Sequence, residues 1–135
     1  MYAIGEKMTS KHSIILALGS NSRPITNMRK AKSLLEQVFH DIGFSREIWT
    51  EPVGVKGTHF RNCIACATTD MESSQVLTKL KEVESLCGRT QEESLRNVIK
   101  MDVDLLLYDN QCCHEKDWER PYIRQLMKEF KENNL

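Results

Sequence analysis

The chain has 135 residues, enough to bury one core, and nineteen lysines and arginines balance nineteen aspartates and glutamates. At a pI near 6.9, no global field favours nucleic acid or an anionic membrane, so phosphate binding needs a local arrangement. No apolar stretch is long enough to span a bilayer, and the opening "MYAIGEKMTSKH" lacks a signal peptide's apolar core, so a cytoplasmic protein is expected.

In chain order, "SIILALG" (13–19) reads as a buried strand that breaks at "GSNSRP", where glycine, serine, asparagine and proline mark a turn. A helix follows from about Ile25 to His40, with Met28, Ala31, Leu34, Leu35, Val38 and Phe39 on one stripe and Gly43 beyond its end. "FSREIWTEP" is a second strand stopped by Pro52, and "VGVKGTH" is a glycine-containing loop. "FRNCIACATT" (60–69) makes the third strand. In "DMESSQVLTKLKEVESLCG" a helix carries Val76, Leu77, Leu80, Val83 and Cys87 on one side and stops at Gly88. The fourth strand is Met101–Tyr108, and an amphipathic helix is expected around Tyr122–Lys131.

This β-α-β-β-α-β order is the split βαβ, ferredoxin-like pattern of the α+β class. It predicts a four-stranded antiparallel sheet with helices covering one face, plus a C-terminal helix. We read residues 1–135 as one domain, in which 1–12 form an N-terminal extension. The five cysteines are read as free thiols. Cys63 and Cys66 spell C-x-x-C within a strand, where residues three apart face opposite sides and cannot share a metal.

Three places put polar residues in apolar positions, and such breaks tend to mark sites. On the fourth strand Lys100, Asp102, Asp104 and Leu106 share one face, while Met101, Val103, Leu105 and Leu107 form the core face. Two carboxylates about 6–7 Å apart repel by roughly 2–3 kcal/mol at an effective dielectric near 20. Lys100 is expected to relieve part of this, and a bridging divalent cation would relieve more. The alternative is a solvent-facing strand whose acids merely solubilise. Asn62 shares a face with Phe60, Ile64 and Cys66, so its amide either ties down backbone or reads the edge of a heterocycle stacked on Phe60. Glu84 projects into the stripe between Leu80 and Leu77, either as a marginal acid reaching water or as a carboxylate at a pocket rim.

Taken together, the segments resemble the 6-hydroxymethyl-7,8-dihydropterin pyrophosphokinase family. "ALGSN" (17–21), "TEPVG" (50–54), "FRN" (60–62), "EVESLCGR" (82–89) and "MDVDLLLYD" (101–109) are similar to family segments and occur in family order. The resemblance implies a ferredoxin-like transferase of folate biosynthesis. It moves pyrophosphate from ATP to the hydroxymethyl group of the pterin and releases AMP, so the partners are small molecules. It implies two Mg²⁺ ions on Asp102 and Asp104, which are catalytic together with Arg89. The pterin slot would use Thr50, Pro52, Val53, Phe60 and Asn62, with Gly19, Ser20 and Asn21 shaping the adjacent turn. Leu77, Glu84 and Arg89 would lie on the ATP side.

The departures from the family pattern concern nucleotide handling. Gln91 stands where the family has a second arginine, and Ile99 where it has another, leaving Arg96 and Lys100 as candidate substitutes. The segment "TQEESLRNV" is shorter than the family's lid and has no tryptophan. In "RPYIRQL", Tyr122 takes the place of a histidine and Arg124 loosely matches an arginine, within a diverged 111–135 region. The alternative is a relative that binds pterin or nucleotide without catalysis, or serves as an interaction module.

Overall fold

A computed structural model of the chain describes residues 11–51 and 58–133. The elements are β1 (His12–Ser20), α1 (Pro24–Val38), β2 (Gly43–Phe44), β3 (Ile48–Thr50), β4 (Phe60–Thr69), α2 (Ser73–Leu86), α3 (Gln91–Leu95), β5 (Asp102–Tyr108), β6 (Gln111–Cys112), a 3₁₀ turn (Asp117–Glu119) and α4 (Pro121–Asn133). One antiparallel sheet runs β2-β4-β1-β5-β6, with β3 also on β4. That is the ferredoxin-like order, with six strands where four are expected. The expected second strand is split at Ser45, whose N–H donates to the Ile64 carbonyl while its hydroxyl accepts from the Ile64 N–H. The sixth strand is a short hairpin return, entered through Asp109 at φ 54.

One face of the sheet packs on α1 and α2. Ile14, Leu16 and Leu18 of β1, Cys63 and Ala65 of β4, and Val103 and Leu105 of β5 meet Met28, Ala31 and Leu35 of α1 and Val76, Leu80 and Val83 of α2. Every second residue of β1 from Ile14 to Leu18, of β4 from Cys63 to Ala67 and of β5 from Val103 to Leu105 enters this core, as alternation across a pleat requires. α1 starts with Pro24, whose fixed φ suits the first helical position, although Arg23 before it offers no side-chain cap. α2 starts with a capping box, in which Gln75 and Glu72 reciprocally bind backbone N–H groups.

The C-terminal helix covers the opposite face. Ile123 and Leu126 are fully buried against Ile64 and Leu106, with Ile15, Ala17, Ile48 and Trp118 around them. Truncating a side chain of this kind to alanine costs about 2–5 kcal/mol. A register shift in the β1–β5 pairing makes Leu106 the extra residue, because Leu105 pairs with Leu16 while Leu107 pairs with Ile15. The bulge corrects the expected alternation: Tyr108 joins the α1/α2 core and Leu107 does not. α4 covers this face only in part, and the rest is open. Among the described residues, no helix is long and apolar enough to cross a membrane.

Candidate active site

The uncovered part of the α4 face is a cavity of about 270 Å³. Strand register builds its floor. Gly19 pairs with Asn62 on one side and with Asp102 on the other, and Ala17 pairs with Ile64 and Asp104 in the same way. Two small residues of the central strand thus separate an aromatic–amide wall from an acidic wall. Gly19 admits no larger residue unless Asn62 shifts, since a Cβ there would stand 2.6 Å from Asn62 Oδ1.

On the first wall, Phe60 and Thr50 line the cavity with Asn62. Asn62 is 5 % exposed, and its Nδ2 donates to Thr50 Oγ1 at 2.5 Å. One of its donors is therefore fixed, as a buried amide requires. The rim is held by Asn21. Its backbone N–H and side-chain Nδ2 donate to the carbonyls of Ile99 and Asn97, and its Oδ1 accepts from the Ile99 N–H at 2.7 Å. Ser20 is fully buried and its hydroxyl bonds the Ser22 carbonyl, so it shapes the turn without lining the cavity.

On the second wall, ligand oxygens of Glu84, Asp102 and Asp104 all lie within 4.8 Å of one another. Asp102 and Asp104 keep 40 % and 27 % of their side chains exposed, and both line the cavity. Glu84 is buried. Its Oε2 accepts from the Val103 N–H at 2.8 Å and from Arg89 at 3.2 Å, which rules out the marginal acid reaching water. Burial raises its pKa, against the pull of the Val103 N–H and of Arg89. Asp104 is pushed up to about 8, first by burial and then by the charge of Asp102 beside it. A hard divalent cation neutralises this kind of oxygen cluster, so the residues fit Mg²⁺.

Local structure brings Arg89 to this cluster. Gly88, at φ +95, closes α2: its N–H bonds the Ser85 carbonyl, and the Arg89 N–H bonds that of Glu84. These are the two bonds of a Schellman motif. The reversal turns Arg89 back, and its Nη1 reaches Asp102 at 2.9 Å while Nε donates to Ser94 of α3. Arg89, and not the expected Lys100, is therefore the cation on Asp102. Lys100 pairs with Glu93 at 3.4 Å.

The remaining sequence candidates divide. Tyr122 lines the cavity. Glu84 and Arg89 line a second, more open groove behind the aspartates, with Lys81, Thr90, Gln91 and Ser94. Arg96 pairs with Glu92, Arg124 bonds the Trp118 carbonyl, and Leu77 is an exposed residue of α2; none of these lines either hollow. Pro52 and Val53 lie outside the described residues. Sequence reasoning missed Asp117, Arg120, Asn97 and Thr58, all of which line the cavity. The one signal for Arg120 was its place directly before Pro121, at the start of an amphipathic helix. Cys63 is in the core and Cys112 is exposed, and all five cysteines are free.

The chain is 27 % identical over 128 residues to a folate synthesis bifunctional protein of Arabidopsis thaliana, covering 85 % of this chain and 26 % of that protein. It is 28 % identical over 136 aligned positions to a folate synthesis bifunctional protein of Chlamydia caviae, covering 89 % of this chain and 30 % of that one. The chain thus spans less than a third of the length of these curated relatives. The family model described as 7,8-dihydro-6-hydroxymethylpterin-pyrophosphokinase matches residues 15–132, which include every wall of the cavity, and the chain belongs to that family.

Proposed function

We propose that this chain transfers the β,γ-pyrophosphoryl group of ATP to 6-hydroxymethyl-7,8-dihydropterin as a cytoplasmic enzyme of folate synthesis. One observation carries the reading: an aromatic–amide wall and a carboxylate pair face each other across a cavity floored by Ala17 and Gly19. Phe60 offers a face for the pterin ring. Asn62, with one donor fixed on Thr50, presents the rest of its amide to a heterocycle edge. The hydroxymethyl oxygen attacks the β-phosphorus, the α–β bridge bond breaks, AMP leaves with its electron pair, and the hydroxyl proton passes to solvent.

Such a transfer depends on positioning and charge neutralisation more than on covalent participation by protein groups. Asp102 and Asp104 would hold the two Mg²⁺ ions, which when bound supply charge neutralisation along the triphosphate. Glu84 would act behind them, fixing the β5 backbone through Val103 and orienting Arg89, and Arg89 in turn holds Asp102.

The test is AMP formation by the purified chain with millimolar ATP and Mg²⁺, in the presence and absence of hydroxymethyl-dihydropterin. AMP is expected only when the pterin is present, and its absence under both conditions would sink the catalytic reading. A second reading, binding without transfer, is favoured by Arg96 and Lys100 being paired with Glu92 and Glu93 and not lining the cavity. It predicts thermal stabilisation by pterin or nucleotide without turnover.

A further inference from the structure

Four carboxylates line the cavity, from Glu51, Asp102, Asp104 and Asp117, and among the described lining residues Arg120 is the only lysine or arginine. A triphosphate entering this hollow meets strongly unfavourable charge unless cations offset it. Arg89 is poorly placed to do so. Its Nη1 is shared among Glu84, Asp102 and the Met101 carbonyl, its Nε is on Ser94, and it lines the groove behind the aspartates.

Arg120 is placed otherwise. It sits at the joint between the 3₁₀ turn and α4: its N–H donates to the Asp117 carbonyl, and its own carbonyl accepts from the N–H groups of Ile123 and Arg124. Those bonds pin the backbone and fix where the side chain starts. Asp117 Oδ1 holds Nη2 at 3.1 Å, and 40 % of the side chain stays exposed. A guanidinium carries five N–H donors, so one carboxylate contact leaves most of the fork for a ligand. Tyr122, Asp117 and Asp102 line the same cavity as Arg120, so these groups form one neighbourhood at the acidic wall.

We propose that Arg120, oriented by Asp117, is the residue that binds the phosphates of the nucleotide in this chain, an inference that rests on the pyrophosphokinase reading of the cavity. A planar fork matches two phosphate oxygens at once, which a lysine's point charge does not. Arg120 thereby offsets the loss of basic character at Gln91 and Ile99. It does so from the α4 side of the cavity, not from the segment between α2 and β5.

The test measures binding and needs no turnover. The whole chain and its Arg120→Met and Arg120→Lys variants are titrated with α,β-methylene ATP and MgCl₂ in a calorimeter, and with hydroxymethyl-dihydropterin in parallel. Arg120→Met is expected to weaken the nucleotide analogue at least tenfold and to leave pterin affinity within twofold, with Arg120→Lys intermediate. Equal analogue affinity in the unmodified chain and Arg120→Met overturns the inference. So does an equal loss of pterin affinity, which would make the residue merely structural. An unmodified chain that binds the analogue yet forms no AMP from ATP in the presence of the pterin removes the catalytic reading alone, and the variants still decide Arg120. If the unmodified chain binds no analogue, both fall.

Discussion

The two faces of the sheet are made by the same strands and serve opposite ends. On β5, Val103 and Leu105, with Met101 just before the strand, close against α1 and α2, while Asp102 and Asp104, one step out of phase, stand at an open cavity. On β1, Leu16 and Leu18 fill the closed face, and Ala17 and Gly19 leave space on the other. The closed face gains stability from burial. The open face gives some up, because like charges are gathered there without enough counter-charge.

The largest effect should come from the open face. Asp102→Asn is expected to lower pterin-dependent AMP formation about 10²–10³-fold, since it removes a metal-holding carboxylate where charge develops. Its urea midpoint should change little by comparison. A variant retaining more than a third of wild-type turnover would show that the acidic wall is only surface.

The covered end of that same face should behave in the opposite way. Leu126 is fully buried, and Leu126→Ala should cost about 2–5 kcal/mol of unfolding free energy in urea titrations. Measured below its own melting transition, its pterin affinity should stay close to that of the parent chain. A loss under about 1 kcal/mol would mean that α4 is not packed as described.

A smaller effect is expected at Gly19→Ala. Its methyl group would displace the Asn62 amide, 2.6 Å away, from Thr50. A flexible amide can turn aside, so the stability loss should be about 1 kcal/mol. Pterin affinity should nevertheless fall several-fold, with nucleotide affinity unchanged. Parallel losses of both ligands would place the glycine in the scaffold and not in the pterin wall.

A further effect concerns acidity. Asp104 in the folded protein sits near 8, against an ordinary 3.8. A carboxyl raised in this way contributes stability that is present at low pH and is lost as pH rises through the folded value. In metal-free buffer the melting temperature should therefore fall between about pH 5 and pH 9 in the parent chain. Asp104→Asn should flatten that slope and be the more stable protein above pH 8, by about 1–2 kcal/mol. A parent chain with no such slope would remove the electrostatic account of the acidic wall.

Much of this contrast was legible in the residue order. Period-two alternation placed Asp102 and Asp104 opposite Val103, and Asn62 opposite Cys63, because pleating leaves no other choice. What alternation does not carry is the identity of contacts between elements. Lys100 is adjacent in sequence to the strand, yet the turn at Gly88 delivers Arg89 to Asp102 first. Leu107 was misplaced because the bulge at Leu106 resets the phase, and no residue there announces it. Arg120 was overlooked because an arginine before a helix-starting proline is usually a solvated side chain. Only the packing of α4 on the open face brings it to the cavity.

The hydrogen bond between Glu84 and Val103 also bears on behaviour at high concentration. Beyond the two-residue pairing with β6, the outer rim of β5 carries backbone groups that could recruit a strand from another molecule. Two of those groups are already engaged: the Val103 N–H is on Glu84, and the Leu106 carbonyl accepts from Cys113 and Trp118. The other rim is broken into Gly43–Phe44 and Ile48–Thr50. Neither border offers a long template for intermolecular ladder growth, so the helix carboxylate that steadies the acidic wall also blunts one route to aggregation.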